Sequence, residues 1–485
     1  MIAENNTATL SDSAKKILID GEILKKNEEL ALQIGNGYNF TRRIFQEISL
    51  IIAGQLIKWI NSTDVLRGYS HAGIYASPGL GKDYAWTLAE NSNIFPFDLL
   101  RASRVDNLTT ATLYGTISAG GWIVPPVTIT NDIIFVGEYS TLLRGNEQAN
   151  LAADLRVFQE TGHYSRRLAM LMELKTELEN PHKKAIIENE LQRLKAQGLT
   201  IDLEKSELTV NSTTSWMINS ARFGTQTSFG RPLLAMGDID RLRWRSYLPD
   251  VDERRKIVLD VGSFPSVSID IATAKALNEA WKYLAKFYKN NNIGISIPFD
   301  EASHQKRKEV WIATQKEIEE KYGQLEDKYT EQLVNLRSSS EFHRIMYQYA
   351  ALKQFQRCQG YDFSIPDKFV IDYKEDGDFA RKLWVEEYVP SLIDVVNDVL
   401  KLDHRGSMKG PKLKEIAIRK ILDILGNGPM SFEDIHSSFQ EAEQISQPYL
   451  YKLLRKLVDE GSISRKDGFY ESVQAHQPVS GGEKE

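Results

Sequence analysis

Residues 72–90, AGIYASPGLGKDYAWTLAE, limit the possible folds more than any other stretch of the sequence. They predict an apolar strand, then a glycine loop at 76–83, then a helix. Such a loop directs backbone N–H groups at the start of the helix toward a bound phosphate. The usual pattern, G-x-x-x-x-G-K-[ST], adds a lysine for the β- and γ-phosphates and a hydroxyl for Mg²⁺. The sequence therefore predicts a phosphate-binding loop made of Ala76, Ser77, Pro78, Gly79, Leu80, Gly81, Lys82 and Asp83.

Two residues of this loop depart from the usual pattern, since Ala76 replaces the first glycine and Asp83 replaces the hydroxyl residue. A carboxylate at position 83 repels a triphosphate unless a cation lies beside it. The loop is therefore compatible with a plain turn, with a decayed site, or with a site whose metal ligands are rearranged.

Two later strand ends carry polar residues suited to nucleotide chemistry. The buried stretch IIFVGE (133–138) ends in Glu138, which can activate water, and has Gly137 where a Mg²⁺-associated aspartate is usual. The stretch SWMIN (215–219) ends in Asn219, whose amide can orient the attacking water. The order of loop, acid and amide, each at a strand end, favours a nucleotide site over three unrelated features.

Strands alternate with helices between 72 and 260, which predicts an α/β fold with a parallel sheet joined by crossovers. RKIVLDVGSF (255–264) is interpreted as a further strand or an interdomain connection. Near the carboxyl end, three helices and a hairpin around Asp467–Gly468 follow each other, which is a winged-helix pattern. We divide the chain into an N-terminal helical segment 1–67, an α/β core 68–265 with a helical insertion 164–200, a helical lid 266–403, a winged-helix domain 409–473 and a disordered tail 474–485.

Composition narrows the cellular setting. The chain has 485 residues, a net charge of −6 and one cysteine, Cys358, so neither an intrachain disulfide framework nor a cysteine-based zinc site is expected. The most apolar stretch, 48–60, is interrupted by Gln55 and Lys58, so we interpret it as a packed helix and expect no membrane span. A cytoplasmic location fits these features.

The chain resembles the AAA+ ATPases, and among them the minichromosome maintenance (MCM) helicases. The resemblance covers about residues 70–260 and the C-terminal winged helix, and it rests on ASPGLGKD, IIFVGEYSTLL, WMINSAR and RPLLAMGDIDRLRWR. It implies ATP and Mg²⁺ as cofactors, assembly into a hexameric ring, DNA as substrate, replication proteins as partners and association with the nucleoid. The family's large N-terminal collar has no counterpart in the 70 or so residues before the loop.

The resemblance also implies roles for several arginines. A neighbouring subunit of such a ring lends an arginine finger to the nucleotide, but Met236 stands at the finger position. Arg241, Arg243 and Arg245 are the predicted substitutes. Arg344 is the candidate for the sensor arginine of the lid.

Asp83 and Gly137 both depart from the usual nucleotide-site pattern, and one explanation covers both departures. The loop hydroxyl and the missing aspartate both belong around the same Mg²⁺, so the loss of a carboxylate at Gly137 is matched by a gain at Asp83. Mg²⁺ favours one or two carboxylates together with phosphate oxygens. We predict that Asp83 is a relocated metal ligand; a decayed ATPase that keeps the fold for assembly is the alternative.

Candidate DNA contacts lie in two regions. Residues 409–471 hold ten basic and ten acidic residues, so that domain is not basic overall and could equally recruit a protein. Lys205, with the pair Arg166–Arg167, could line the channel of a ring. In the winged helix, the predicted phosphate contacts are Lys452, Arg455, Lys456, Arg465 and Lys466.

Two functions of different classes remain open at this stage. One is an ATP-driven ring motor that translocates on or remodels DNA, as in the replication of a mobile element. The other is a catalytically weak ATP-binding assembly protein that recruits DNA or a protein partner.

Overall fold

The structure is a computed structural model that describes most of the chain. The described residues are 10–35, 38–57, 60–61, 68–77, 80, 82–106, 109–117, 123–137, 155, 157–159, 161–167, 170–221, 241–262, 269–291, 295–296, 301–323, 336–357, 369–397, 418, 420–426, 428–440, 447–466 and 468–472. Pro78, Gly79, Gly81, Glu138, the segment 404–412 and the predicted tail 474–485 lie outside them. The chain divides into two compact units, one formed mainly by residues before 398 and one by residues after it.

The secondary structure is mixed throughout the described residues. The strands are β1 Ile60–Asn61, β2 Ala72–Ala76, β3 Ala102–Val105, β4 Thr116–Ile117, β5 Ile123–Val124, β6 Ile133–Val136, β7 His163–Arg167, β8 Leu199–Asp202, β9 Glu207–Asn211, β10 Ser215–Ala221, β11 Arg243–Tyr247, β12 Ile295–Ser296, β13 Met430–Ser431, β14 Ile463–Lys466 and β15 Phe469–Ser472. The α-helices are α1 Asp12–Ile19, α2 Ile23–Ile34, α3 Asn39–Ile57, α4 Lys82–Asn91, α5 Thr110–Tyr114, α6 Val127–Thr130, α7 Met170–Leu178, α8 Pro181–Ala196, α9 Val251–Gly262, α10 Ile271–Asn291, α11 Glu301–Tyr322, α12 Leu336–Arg357, α13 Glu375–Leu383, α14 Phe432–Gln440 and α15 Gln447–Asp459, and a π-helix spans Trp384–Tyr388.

A five-stranded sheet forms the centre of the larger unit. Its strand order is β11–β2–β10–β6–β3, and all neighbouring strands run parallel. Every residue of β2 and β6 is buried, as expected for a parallel sheet covered on both faces. The predicted α/β class with a parallel sheet is confirmed.

The stretch 255–264 does not form the predicted strand, because helix α9 covers it up to Gly262. The side chain of Asp250 accepts a hydrogen bond from the backbone N–H of Glu253, at 2.8 Å, and so caps the start of the helix. Asp252 and Glu253 in the first turn also interact favourably with the helix dipole. Local capping therefore outweighs the apolar run that suggested a strand.

Helices from both ends of the larger unit pack together around the sheet. Helix α3 is buried along most of its length and contacts α2, α12, β2 and β11, while α10 contacts α1 and α2. The apolar residues of 48–57 thus belong to a packed helix. Residues before the sheet and those of 269–397 form one compact body with it, and the division between the units falls after Asn397 rather than at 265.

The insertion between β6 and β10 contains strands as well as helices. Strand β7 leads into a helical hairpin, α7 and α8, which breaks at Asn180 as predicted; the Asn180 side chain accepts from the His182 N–H and caps α8. The chain then returns as β8 and β9, giving an antiparallel sheet of order β7–β9–β8. Residues 164–167 and 199–200, predicted as part of a helical insertion, are strand.

The C-terminal unit follows the predicted element order. A helical stretch at 420–425 is followed by α14, α15 and the hairpin of β14 and β15, with Gly461 and Gly468 at positive φ where α15 ends and where the hairpin turns. A strand that the sequence did not reveal, β13, pairs with β15 and completes a three-stranded antiparallel sheet. An apolar core common to these elements includes Ile435, Leu454 and Tyr470.

Membrane insertion has no support in the helices. None of those within the described part of the chain has both the length and the apolar character that crossing a bilayer requires.

Candidate functional site

The carboxyl edge of the central sheet brings together the ends of three adjacent strands, two of which carry polar residues there. Val105 of β3 pairs with Val136 of β6, and Val136 pairs with Ile218 of β10. The next residue of each strand, Asp106, Gly137 and Asn219, therefore lies in one row across the sheet. The glycine loop leaves β2 at the same edge, because β2 is parallel to β10 and adjacent to it. Ligands of open parallel sheets bind at this edge.

The described residues of the loop are its two ends and Leu80. Lys82 begins α4 and is 7% exposed, and its Nζ donates a hydrogen bond to the Ala76 carbonyl at 3.3 Å. Ser77 and Leu80 are buried. The Lys82 side chain thus reaches back to the end of β2, where the loop begins.

Asp83 in the first turn of α4 faces this row of residues. Its Oδ1 accepts hydrogen bonds from Asn219 Nδ2 at 3.2 Å and from Arg104 Nη2 at 3.4 Å. The Asp83 side chain remains 54% exposed, so solvent and a ligand can reach it. The structure therefore brings together the loop carboxylate and Asn219, two residues that lie 136 positions apart.

Arg104 and Asp106 are members of the site that the sequence did not reveal. Arg104 Nε donates to Asp106 Oδ1 at 2.7 Å. A β-carbon added to Gly137 would lie 2.9 Å from Asp106 Oδ1 and 3.4 Å from Arg104 Nη2. The Asp106 carboxylate thus fills the space that a side chain at position 137 would occupy. The pKa of Arg104 is raised by its hydrogen bond to Asp106, and the charges of Asp106 and Asp83 add to this effect.

A second arginine outside the predictions, Arg254, contacts the loop itself. Its Nη2 donates to Ser77 Oγ at 2.7 Å, and its Nε donates to the Pro249 carbonyl at 3.1 Å. Helix α9, whose capping was described above, positions this guanidinium beside the loop. The site therefore has cations from α4, β3 and α9 around the loop: Lys82, Arg104 and Arg254.

The structure contradicts the predicted finger role of Arg243 and Arg245. They are 2% and 1% exposed. Arg243 Nη2 lies 2.6 Å from Glu47 Oε1, Arg245 Nε lies 3.0 Å from Glu47 Oε2, and Arg245 Nη1 lies 2.6 Å from Glu387 Oε2. A guanidinium that reaches a neighbouring subunit must be exposed, whereas these two are enclosed by acids of their own chain. Arg241 is partly exposed, and its proposed role stays a prediction.

Opposite charges hold this buried cluster in its ionised form. Burial alone would raise the pKa of Glu47, but Arg243 and Arg245 outweigh burial and keep that pKa below its usual value. The hydroxyl of Tyr388 also donates to Glu47, and the Arg245 guanidinium lies 4.2 Å from the centre of the Tyr388 ring. The cluster ties strand β11 to helix α3 and to the π-helix.

Arg344, the predicted sensor arginine, lies on helix α12. It pairs with Glu341 of the same helix, α12. One turn further along α12, Gln348 donates to the Gly68 carbonyl at 2.8 Å and accepts from Arg243 Nη1 at 2.6 Å. Gly68 and Arg243 lie toward the amino edge of the sheet, and the loop lies about 13 Å away along a four-residue length of strand. The predicted contact of Arg344 with nucleotide stays a prediction.

The predicted DNA contacts whose side chains are described are exposed or partly exposed, while the side chains of Arg166 and Arg167 lie outside the described ones. Lys205 lies in the turn between β8 and β9, 3.2 Å from Asp202. On α15, Lys456 is partly exposed and lies 3.1 Å from Glu460. The remaining basic side chains of the C-terminal unit are exposed: Lys452, Arg455, Arg465 and Lys466.

Neither a ready-made metal site nor a known relative identifies the chain. No cluster of three or more His, Cys, Asp or Glu side chains suited to a metal ion occurs within the described ranges, which exclude Glu138. No protein-family model and no curated protein sequence matches this chain.

Proposed function

We propose that the larger unit is a nucleotide-binding core of the AAA+ type that binds ATP with Mg²⁺. The observation that carries the proposal is the meeting of Lys82, Asp83 and Asn219 at the carboxyl edge of the parallel sheet. Three residues from the loop and a distant strand converge where phosphates bind to this kind of sheet. A plain turn would not require the amide of a buried strand to face the loop.

The residues divide the work of binding between charge and position. Lys82 and Arg254 supply positive charge beside the loop, which stabilises the phosphates of a bound nucleotide. Asn219 fixes Asp83 by its hydrogen bond. Mg²⁺, when bound, would neutralise phosphate charge next to Asp83, and Glu138 is the candidate for positioning water.

Lys82→Ala tests the proposal directly. Loss of a charge-assisted contact should weaken ATP binding by about 1.5–3 kcal/mol, which is roughly 10- to 150-fold in affinity. Equilibrium binding of a fluorescent ATP analogue to the full chain measures the loss. Arg101→Ala is the matched control, because Arg101 pairs with Asp132 near the amino end of β6, away from the loop.

Equal affinity in Lys82→Ala and in the wild type would contradict the proposal. Steady-state ATP hydrolysis, measured with and without single- and double-stranded DNA, then separates a motor from a binding protein. The ion pair between Asp83 and Arg104 favours weak turnover, because it supplies a cation at the site before any metal arrives. Stimulation by DNA favours the motor.

We further propose that the C-terminal unit is a winged helix that contacts DNA. Its element order and its β13–β15–β14 sheet support this proposal, together with the exposed basic side chains of α15 and of the hairpin. Ring assembly remains part of the proposal, with Arg241 as its candidate for a contact between subunits.

A further inference from the structure

The position of Gly137 is the starting point, because a carboxylate already occupies the space beside it. Asp106 Oδ1 lies 2.9 Å from where a β-carbon of residue 137 would be. Asp106 directly follows β3, the strand next to β6, and lies level with Gly137 in the parallel register. A negative charge is thus present at the level of Gly137, although it arises from the neighbouring strand.

A buried amide, that of Asn219, belongs to the same row of residues. Asn219 has no exposed surface, and its Nδ2 is used by Asp83. Its Oδ1 has no hydrogen-bond partner among the residues that the structure describes. A buried amide oxygen without a partner is costly unless a ligand completes it. Carboxylate and amide oxygens are hard donors of the kind that bind Mg²⁺.

Arg104 lies between the two carboxylates. It donates to Asp106 at 2.7 Å and to Asp83 at 3.4 Å, so one guanidinium serves both acids. The three charged side chains are each one third or more exposed, at 33% for Arg104, 54% for Asp83 and 70% for Asp106. Such an exposed arrangement contributes little to folding stability and can rearrange at small cost.

We propose that Asp106 supplies from strand β3 the carboxylate that Gly137 lacks, so that Asp83, Asp106 and the amide oxygen of Asn219 form a divalent-cation site in which Arg104 competes with the metal. This inference rests on the proposed nucleotide function, because it names the cation site beside the bound phosphates. Two carboxylates and one amide leave positions for water and phosphate in an octahedral shell.

Arg104 gains a second role when a divalent cation takes its place between the acids. The guanidinium is then released from two carboxylates close to the loop, and it can donate to a phosphate oxygen instead. Cation binding and phosphate binding are thereby coupled through one side chain. The coupling also explains how an aspartate is tolerated in a loop that must accept anions.

Mn²⁺ binding to the full chain, followed by electron paramagnetic resonance without nucleotide, tests the site. Mn²⁺ prefers the same octahedral oxygen ligands as Mg²⁺. Asp106→Asn should weaken Mn²⁺ binding about tenfold or more, and Arg104→Gln should strengthen it several-fold because a competing charge is removed. Asp132→Asn and Arg101→Gln are matched controls, since this ion pair joins the same two strands near their amino ends and should leave Mn²⁺ affinity unchanged.

Two results would overturn the inference. Mn²⁺ affinity that is the same in Asp106→Asn and in the wild type overturns the inference, and so does a lower affinity in Arg104→Gln. Binding of a fluorescent ADP analogue in the presence of EDTA is measured in parallel. If Lys82→Ala weakens binding of the ADP analogue while Asp106→Asn leaves Mn²⁺ affinity unchanged, the proposed cation site is wrong and the proposed nucleotide function is supported. If Asp106→Asn weakens Mn²⁺ binding while Lys82→Ala leaves binding of the ADP analogue unchanged, the nucleotide function is wrong and the cation site is supported.

Discussion

At the scale of single residues, Glu47 has the largest predictable effect on stability. Its carboxylate lies between two buried guanidiniums, those of Arg243 and Arg245. Glu47→Gln keeps the shape but leaves both cations short of a counter-charge, so we expect a loss of about 3–5 kcal/mol in the free energy of unfolding. Urea denaturation at pH 7 measures it. Glu188→Gln, which removes a surface charge 3.9 Å from Lys184, is the control and should change stability by at most about 1 kcal/mol.

The same residue predicts a dependence on pH. Because the pKa of Glu47 is lowered from its usual value of 4.5, its ionised form stabilises the fold above pH 4.5, and this contribution is lost as the pH falls through the lower folded-state pKa. The stability difference between the wild type and Glu47→Gln should therefore be constant near neutrality and should narrow below pH 4.5. A difference that widens in acid would contradict the assigned direction.

The sequence pointed to residues that the structure brings together where they lie at strand ends or in the loop, and it missed contacts that depend on distant partners. Lys82, Asp83 and Asn219 were identified because each lies at a strand end or in the loop. Arg243 and Arg245 were misassigned because their partner, Glu47, is nearly 200 residues away. Arg104 and Asp106 escaped notice because their role depends on the pairing of β3 with β6, which no local pattern specifies.

At the scale of elements, strands and helices with strong local sequence patterns were predicted correctly, and those with weak patterns were missed. Strands β2, β6 and β10 were predicted from continuous apolar runs, and the α7–α8 hairpin from its asparagine cap and proline. Strand β11 was missed because its sequence, RWRSY, buries arginines rather than apolar side chains. Most of β7 and the first residues of β8 were predicted as part of the helical insertion, because charged residues surround them in the sequence.

Gly198, between α8 and β8, gives a test at this scale. Its φ of +99° is one that other residues rarely adopt, and an added β-carbon would lie 2.2 Å from the Asn211 carbonyl oxygen. Gly198→Ala should destabilise the β8–β9 pairing by about 1–2 kcal/mol from the backbone and about 1–3 kcal/mol more from the clash. Hydrogen exchange of the amides of 199–211 should accelerate accordingly.

Gly323→Ala provides the matched control for that experiment. Gly323 also has a positive φ, of +70°, but none of the described residues has an atom within 4 Å of its added β-carbon. Gly323→Ala should therefore lose stability only through the unfavourable backbone conformation, without a steric clash. If Gly198→Ala and Gly323→Ala accelerate hydrogen exchange equally, each in its own segment, then a small backbone shift relieves the contact between the new β-carbon at position 198 and the Asn211 carbonyl.

At the scale of the whole molecule, the division after Asn397 suggests that the C-terminal unit can be separated from the core. The unit has its own apolar core and its own three-stranded sheet, so we expect a fragment of residues 398–485 to fold alone. A cooperative thermal transition of the isolated fragment would support this. The sequence predicted this unit because helix caps, helix ends and turns are local signals. The packing of the helices before the sheet with those of 269–397 depends on tertiary contacts, which local signals do not reveal.

DNA binding by this fragment is the sharpest test of what the unit does. If Lys452 and Arg455 contact phosphates, the fragment should bind duplex DNA with an affinity that falls as salt rises, since each contact releases counterions. Lys452→Ala with Arg455→Ala should lower the slope of log affinity against log salt by about 1.8. Lys420→Ala, in the first helical stretch of the unit, should leave the slope unchanged. Tyr451, next to Lys452 in the chain, and Phe469, which pairs with Lys466 in the hairpin, are each 49% exposed, so absence of DNA binding even at low salt would favour a protein partner for this unit.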